Sequence, residues 1–488
     1  MLVVILGLGL VLGGCTGADD VPLHPSEPGR GSVESTDGPD TTFVPRQGVT
    51  FLVNSRRGAA SSARIRDAIT AAQGHWVTAW PEIGVSVGVA PRGSAAAVVR
   101  RLRAMKAVES AGLSGQIMPE KDRLRVGTPA PSLRPERAGA IADAAKAPEA
   151  NRYASGQGVS VGVADSGLFD EHEEFAGRFD AGKSGSCAEG GVFHSGGSAW
   201  RPTGAAASAP SHGTHVASVI AAGLNGKGLR GVAPNARIVA IRVGNDEGNF
   251  FPEAAICAAM TAVDQGLPIV NYSFGVDYVG HLRAGFWNPD DPDQAADITA
   301  IRKAFAYSAA HGVLNVVATG NSGEDDSDKP AIPLPGSEAG EPPYSNRLID
   351  LLGQMPGTVG VGESYLDGTV ASSSTSGFGI TDMVAVGTGL LASNPNTYAH
   401  DAGTSFAAPA VSGTAALIKQ VLPDATPQQL AHILYMSATP RTCENAGTLF
   451  SEQPCRTRGR LTNFFGHGQL NALKAVRVAM SGDRHGIP

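Results

Sequence analysis

The sequence predicts an α/β protein built on a mainly parallel, doubly wound sheet with helices on both faces, preceded by a small α+β module. Two observations lead to this fold class. In residues 150–488, short β-branched runs alternate with apolar helical stretches, which is the pattern of a parallel sheet covered by helices. Residues 47–126 instead follow a β-α-β-α-β order, which indicates a ferredoxin-like module. A chain of 488 residues has room for both.

The main domain, residues 150–488, contains four runs that predict parallel strands and five stretches that predict helices. The strands are predicted at 159–164, 237–243, 268–272 and 313–318, and the helices at 216–222, 253–265, 295–310, 406–421 and 427–436. Open sheets of this kind place their functional groups beyond the carboxyl ends of the strands. Polar residues that directly follow a strand are therefore the first candidates for chemistry.

The N-terminal module, residues 47–126, differs from the main domain in charge as well as in pattern. Its elements are predicted as strands at 48–53, 85–90 and 113–118 and helices at 62–73 and 95–108. Residues 46–126 hold 13 Lys/Arg and 5 Asp/Glu, a net charge of +8, whereas residues 127–488 carry −10. Opposite charges make the two regions candidates for docking against each other. An accidental imbalance is the alternative.

The first 46 residues read as an export signal followed by a tether. Residues 2–12 are apolar and too short to span a bilayer, but they fit the core of a secretory signal. The end of this run, Leu-Gly-Gly-Cys15, resembles a bacterial lipoprotein signal, although no Lys or Arg precedes the run. The resemblance implies lipidation of Cys15 and an envelope location; ordinary secretion is the alternative. Residues 1–15 are thus the signal, and the Pro-, Gly- and Ser-rich residues 16–46 are a flexible tether.

The remaining cysteines agree with export. Four of them, an even number, fit an oxidising compartment. Cys443 and Cys455 bracket a short polar loop and are the favoured pair, which leaves Cys187 and Cys257 for a second bond. Because Cys257 lies in an apolar helical stretch, a free buried thiol is the alternative. The net charge of −7 gives no reason to expect nucleic acid as a partner.

Three polar residues stand at element ends. Asp165 follows the strand 159–164, and His212 precedes an apolar helix in Ser-His-Gly-Thr-His. Ser405, in Gly-Thr-Ser-Phe-Ala-Ala-Pro, begins a long apolar helix whose free N–H groups suit a developing oxyanion. Pro409, near the start of this helix, is expected to cost no hydrogen bond. His212 and His215 are spaced for a metal, but no third ligand stands at a suitable spacing, which disfavours zinc.

Asn321 completes the set. It follows the strand 313–318, and its amide is a candidate oxyanion donor. The order Asp165, His212, Asn321, Ser405 resembles that of the subtilisin-like serine proteases (subtilases, peptidase S8), whose triad runs Asp, His, Ser. The resemblance covers roughly residues 150–480, including Val-Asn-Tyr-Ser-Phe-Gly at 270–275 and the segment 464–472.

The resemblance implies a subtilisin-like fold and a serine endopeptidase that works through an acyl-enzyme without a cofactor. Ser405 would be the nucleophile, His212 the general base and acid, and Asp165 the group that orients His212. Asn321 and the Ser405 amide would form the oxyanion hole. Two segments would form the walls of a pocket for a hydrophobic or aromatic side chain: Ser273, Phe274 and Gly275, and Ala318, Thr319 and Gly320.

The resemblance also gives the N-terminal module a role. It implies an inhibitory prosegment at 47–126 and a linker at 127–149, with a maturation cut between about 119 and 150. The chain would then be a self-processing precursor, with protein or peptide substrates, and a monomer. Two loop insertions, 277–297 and 324–356, are acidic enough for structural calcium, although solvated loops are favoured. Their acidic residues are Asp290, Asp291, Asp293 and Asp297 in the first, and Glu324, Asp325, Asp326 and Asp328 in the second.

Two rival functions remain. A sedolisin-like acid peptidase shares a similar serine motif, but it would have Glu in place of His212 and Asp in place of Asn321. A catalytically inactive surface binding protein would be expected to lack one member of the triad, and none is missing.

Overall fold

A computed structural model describes the chain from Gly48 to Ser481 with several gaps, and all of the described residues belong to one compact unit, Asp40–Pro488. The signal with Cys15, the tether 16–46, the linker up to residue 138 and the acidic stretch 324–328 lie outside the described residues. Among the described helices, none has both the length and the apolar character that a bilayer crossing requires. The described residues are 48–56, 62–115, 139–203, 212–226, 229–246, 248–275, 286–321, 323, 349–350, 352–393, 396–446 and 454–481.

The N-terminal module is a four-stranded antiparallel sheet of order β2-β3-β1-β4 with two helices. The order β-α-β-β-α-β is ferredoxin-like and contains one strand more than the sequence predicts. The extra strand, β2, has only half-buried and exposed residues, so it lacks an alternating pattern. The last strand is also earlier than the predicted 113–118. The elements are β1 (Gly48–Ser55), α1 (Ser62–Ala71), β2 (His75–Trp80), β3 (Val85–Pro91), α2 (Ala95–Arg103) and β4 (Val108–Leu113).

The main domain contains every predicted strand and helix, with ends shifted by a few residues. Its helices are α3 (Ala140–Ala144), α4 (Ala147–Ala150), α5 (His212–Ala221), α6 (Pro252–Asp264), α7 (Pro292–Ala310), α8 (Thr404–Val421), α9 (Pro427–Ser437) and α10 (Ala472–Ser481), with short 3-10 helices at Glu173–Phe175 and Cys443–Ala446. Its strands are β5 (Ser160–Asp165), β6 (Gly185–Ser186), β7 (His194–Ser195), β8 (Arg237–Arg242), β9 (Ile269–Tyr272), β10 (Phe286–Trp287), β11 (Leu314–Ala318), β12 (Ile349–Asp350), β13 (Thr358–Ser364), β14 (Met383–Val386), β15 (Thr388–Ser393), β16 (Thr397–Ala402), β17 (Thr457–Arg458) and β18 (Leu461–Thr462).

Eight of these strands form one sheet of order β14-β13-β11-β9-β5-β8-β6-β7, parallel except for the β6–β7 pair at its edge. Successive residues of the central strands contribute to two different cores. In β11, for example, Val316 belongs to the apolar cluster that includes residues of α5, α8 and α10, whereas Val317 belongs to the cluster that includes residues of α6 and α7. Because both faces are covered, the central strands are almost continuously apolar. The predicted doubly wound α/β fold is confirmed.

The N-terminal module packs one face of its sheet on the main domain. Leu52, Val85 and Val87 belong to the same apolar cluster as the buried side of α6 and α7. The glycine at position 112 allows a close approach of the two backbones, since a Cβ there would lie 2.4 Å from the carbonyl oxygen of Asp293. The module and the two helices therefore share one continuous core.

Two further features of the main domain can be compared with the sequence-based predictions, one a loop insertion and the other the disulfide bonds. The predicted loop insertion 277–297 ends early, because α7 begins at Pro292 and Asp291 caps it through hydrogen bonds to the amides of Asp293 and Gln294. Both predicted disulfides are present: Cys187–Cys257 and Cys443–Cys455, with Cα atoms 5.7 Å and 5.4 Å apart. Cys257 is therefore not a free thiol.

Candidate active site

Asp165 and His212 meet where β5 ends and α5 begins. The imidazole Nδ1 of His212 lies 2.9 Å and 3.1 Å from the two carboxylate oxygens of Asp165. Gly213 makes this approach feasible, because a Cβ there would be 2.2 Å from the carbonyl oxygen of Gly167. Burial lowers the pKa of His212, but the charge and hydrogen bond of Asp165, together with the charge of Asp401, outweigh it, so the pKa is raised above its usual value.

Ser405 lies in the first turn of α8. Gly403 precedes this turn with φ of 149°, a conformation that favours glycine. The Ser405 hydroxyl donates to the carbonyl oxygen of Ser273, 3.2 Å away, and makes no hydrogen bond to His212 in this structure. Hydrogen bonds of catalytic groups are often formed only when substrate is bound. The His212 ring contacts Phe406, the next residue of α8, with ring centroids 5.4 Å apart.

The backbone carbonyl of Ser405 is held by a buried chain of side chains. Pro409 is the sixth residue of α8 and has no N–H to donate to that carbonyl. The expectation that this proline costs no hydrogen bond is therefore wrong. Ser273 replaces the missing donor through its hydroxyl at 2.7 Å. Ser273 in turn accepts from Asn271 at 2.8 Å, and Asn271 accepts from Ser412 at 2.9 Å.

Asn321 approaches the same turn from the end of β11. Its Oδ1 accepts from both the amide and the hydroxyl of Thr404, each at 3.0 Å. This fixes the side-chain amide so that Nδ2 is the group left to donate to a ligand. The Thr404 hydroxyl also accepts from the Gly320 amide at 3.2 Å. Sequence reasoning treats Thr404 only as part of a motif, whereas the structure makes it the link between Asn321 and the serine.

The two predicted pocket segments follow neighbouring strands. Strands β9 and β11 pair in parallel, so residues 273–275 and 318–320 leave the sheet side by side. Phe274 is mostly buried and stacks on Phe250, with centroids 4.7 Å apart and planes 13° apart. Phe250 has no motif around it, so only the structure reveals it as a neighbour of Phe274.

His215 does not pair with His212 as a metal site would require. It is buried, and its Nδ1 lies 3.4 Å from a carboxylate oxygen of Asp401. Within the described parts of the chain, no group of three His, Cys, Asp or Glu side chains is placed to hold a metal ion. Thr214 accepts from the Phe169 amide at 3.0 Å and so supports the turn after β5.

Comparisons with known proteins agree on one protein family. Residues 156–468 match the sequence model of the subtilase family. Fervidolysin of Fervidobacterium pennivorans is 30% identical over 293 residues, which is 58% of this chain and 38% of that protein. Subtilisin BL of Lederbergia lenta is 30% identical over 267 residues, 54% of this chain and 77% of that one. The chain thus spans well under half the length of fervidolysin and about three quarters of subtilisin BL.

Solved structures share the fold. The epidermin leader peptide processing serine protease (EpiP) of Staphylococcus aureus matches 88% of this chain and 100% of its own, with a TM-score of 0.68 and 19% identity. Fervidolysin matches 88% of this chain and 61% of its own, with a TM-score of 0.61 and 21% identity. These similarities show a subtilisin-like fold.

Proposed function

Because this chain belongs to the subtilase family, we propose that it is a serine endopeptidase that hydrolyses peptide bonds through an acyl-enzyme. The observation that carries the proposal is the hydrogen bond of His212 to both oxygens of buried Asp165, beside the helix start that holds Ser405. This is the arrangement in which a serine hydroxyl is activated by an oriented imidazole.

In the proposed reaction, Ser405 Oγ attacks the scissile carbonyl carbon and His212 Nε2 takes its proton. The oxyanion that forms accepts hydrogen bonds from Asn321 Nδ2 and the Ser405 amide. His212 then gives its proton to the leaving amine, and water hydrolyses the acyl-enzyme by the same steps. Asp165 stabilises the imidazolium throughout. No step requires a cofactor.

The pKa of His212 leads to a prediction for pH. The base must be neutral, and its raised pKa means that it takes a proton already above the usual value of about 6.5. We therefore expect kcat/KM to fall as pH falls through a value above 6.5. In the Ser405→Ala protein, NMR titration of His212 is expected to give the same pKa, and adding Asp165→Asn should lower it. An unchanged pKa in that double variant would contradict the role of Asp165.

We further propose that residues 47–126 are an inhibitory prosegment that assists folding and is then cut away. Its docking supports this, because polar contacts surround the shared core. Ser114 Oγ donates to Glu253 at 2.5 Å, and the Leu113 amide donates to Asp293 at 3.0 Å. Arg103 forms an ion pair with the same Asp293. The opposite net charges of the two regions favour the same contact.

Two buried carboxyl groups under the module predict that docking depends on pH. Burial raises the pKa of Glu253, although the hydrogen bond that Ser114 donates to its carboxylate acts in the opposite direction. Burial, together with the charges of Glu253 and Asp293, raises the pKa of Asp297 well above its usual value. Ionised carboxyls are thus disfavoured in the docked state, so docking takes up protons. Docking is strongest below the usual carboxyl pKa and weakens as pH rises towards the raised values, by up to about 10-fold per pH unit for each group.

The measurement is size-exclusion chromatography of the cleaved protein between pH 4.5 and 8. We expect the module to co-elute at the acid end and to separate at the alkaline end. The double variant Glu253→Gln, Asp297→Asn keeps the shape of the interface but is expected to lose most of this dependence. An equal dependence in both proteins would show that other groups control release.

The remaining parts of the proposal concern location and ligands. We propose that the protein is exported and is either held at the envelope through Cys15 or secreted. Its substrates would be proteins or peptides, and a hydrophobic or aromatic side chain of the substrate would enter the pocket formed by 273–275 and 318–320. We also propose structural calcium at the acidic stretches, on the ground of the family resemblance. The sedolisin-like alternative would have activity only at acid pH.

The experiment that tests the function is covalent labelling with a fluorophosphonate, combined with a casein assay at neutral pH. We expect one adduct per chain, mapped by mass spectrometry to the peptide that contains Ser405, and loss of casein cleavage in parallel. Cleavage of casein that continues after full labelling, or an adduct on another serine, would overturn the proposal.

A further inference from the structure

A buried arginine ends the strand next to the proposed catalytic aspartate. Strands β5 and β8 pair in parallel with Arg242 opposite Asp165, and Arg242 is only 6% exposed. Burying a charged group is unfavourable unless ion pairs and hydrogen bonds compensate. An apolar residue, like those that precede it in β8, would fill this place without that cost. The proposed mechanism does not use Arg242, so its burial calls for another explanation.

The chain that follows Arg242 passes along the carboxyl ends of neighbouring strands. We call residues 244–246 and 248–250 the rim segment. At its start, Gly244 lies against the turn after β5, since a Cβ there would be 3.0 Å from the Cα of Ser166. At its end, Phe250 stacks on Phe274 after β9. Because β5 lies between β8 and β9 in the sheet, the rim segment borders the proposed active site and the pocket wall.

The guanidinium of Arg242 holds the start of the rim segment. Its Nη2 forms an ion pair with Asp246 Oδ1 at 2.7 Å, and its Nε donates to the Gly244 carbonyl at 3.0 Å. The rim segment is also closed on itself. The Asn245 amide donates to the Asn249 carbonyl at 3.0 Å, and the Asn249 amide donates to Asn245 Oδ1 at 2.9 Å. A shift at the start of the segment is therefore passed on to its end.

The same guanidinium also binds a second segment, which is fixed to the turn after β5. Its Nη1 donates to the carbonyl of Arg201 at 3.2 Å. The Thr203 hydroxyl donates to the carboxylate of Asp246, the rim residue of the ion pair. The carbonyl of Trp200 accepts from the Leu168 amide at 3.0 Å, just after β5. The buried charge thus joins the rim segment to a part of the main domain that is held beside the proposed catalytic carboxylate.

We propose that Arg242 is a positioning residue for substrate: its ion pair and hydrogen bonds hold the rim segment, and with it Phe250, where an extended peptide lies beside the pocket wall. This inference rests on the proposed function. Arg242 touches no reacting atom, and a substrate that fills only the pocket does not need the rim segment. The expected signature is therefore a rise of KM, with kcat unchanged, that appears only with longer substrates.

The test compares two substrates of the protein that has lost residues 47–126. An acetylated phenylalanine ester fills only the pocket, and a tetrapeptide p-nitroanilide that ends in phenylalanine extends beyond it. Arg242→Met keeps the length of the side chain and removes its charge and donors. We expect KM for the tetrapeptide to rise about 10-fold, with its kcat and the kcat/KM for the ester within twofold of the wild type. Rates are expressed per site that a fluorophosphonate labels, so that a loss of folded protein does not count.

Arg178→Met is the matched control. Arg178 is also partly buried, but it lies beside the start of β8, where its carbonyl accepts from the Ile238 amide at 2.8 Å. Its guanidinium donates to the carbonyl of Glu174 and does not contact the rim segment. We expect Arg178→Met to lower the unfolding temperature and to leave kcat/KM for both substrates within twofold of the wild type.

A second variant covers the case in which Arg242→Met does not fold. The Asp246 side chain is 31% exposed, and Asp246→Ala removes the acceptor of the ion pair but leaves the two carbonyls. We expect it to raise KM for the tetrapeptide about 3- to 10-fold and to leave the ester unaffected.

Three outcomes would each overturn the inference. They are an equal loss of kcat/KM with both substrates in Arg242→Met, a tetrapeptide KM within twofold of the wild type in either rim variant, and the same difference between substrates in Arg178→Met. Failure of the proposed function looks different, because the wild type would then cleave neither substrate and would not be labelled.

Discussion

Replacing Ser405 by alanine is expected to lower kcat for peptide hydrolysis on the order of 10⁶-fold, the loss that follows removal of a triad serine. The reason is that alanine has no hydroxyl to attack the substrate, and the hydroxyl of the neighbouring Thr404 already donates to Asn321. Hydrolysis of a chromogenic peptide, followed over hours at high enzyme concentration, measures the residual rate. The comparison is made between proteins from which residues 47–126 have been removed, because the variant is not expected to cut off its own prosegment. The variant should then fold and bind substrate as the wild type does.

Ser308→Ala is the control for the loss of a serine. Ser308 is fully buried in α7, where its hydroxyl donates to Asn315 Oδ1 at 3.2 Å, remote from the proposed reaction. We expect it to lower the free energy of unfolding by about 1 kcal/mol and to leave kcat within twofold. A Ser405→Ala protein that keeps even one hundredth of the wild-type kcat would mean that another group is the nucleophile.

Replacing Asn321 by alanine is expected to lower kcat by about 10²- to 10³-fold with little change in KM, because one oxyanion donor is lost. Asn321 has two separable roles, since Oδ1 holds Thr404 and Nδ2 is the proposed donor. Asn321→Asp keeps an oxygen for Thr404 but has no N–H to donate when it is ionised. At pH 8 we therefore expect Asn321→Asp to lose at least as much kcat as Asn321→Ala.

The two variants distinguish the donor role from a purely structural one. Asn321→Asp with nearly wild-type kcat at pH 8 would show that holding Thr404 is the whole contribution of this residue. An increase of KM by the same factor as the loss of kcat/KM would instead assign Asn321 to substrate binding.

Much of the fold and the candidate triad can be predicted from sequence because the signals are local. Asp165 directly ends a β-branched strand, and Ser405 interrupts an otherwise apolar helix start. The start of α7 also has a local signal in the sequence. An Asp291-Pro292 pair is a strong helix-start signal, with a capping carboxylate followed by proline in the first turn, although the hydrophobic pattern alone places the helix start at 295.

Other features depend on partners far away in the sequence. The acceptor left by Pro409 is satisfied by Ser273, 132 residues from Ser405. Asn321 is held by Thr404, which is 83 residues away in the sequence. Strand β2 is missed for a related reason, because its residues are neither fully buried nor clearly alternating and its place is set by pairing with β3.

The measurement that tests the central claim most directly is the intact mass of the purified protein, made without residues 1–15, as wild type and as Ser405→Ala. A self-processing serine endopeptidase predicts that the wild type loses an N-terminal fragment that ends between about residues 119 and 150, while the variant stays whole. The new N-terminus then gives the maturation site directly. If both proteins stay whole and neither cleaves casein at neutral pH, the chain does not process itself, and the account of a self-processing serine endopeptidase is contradicted.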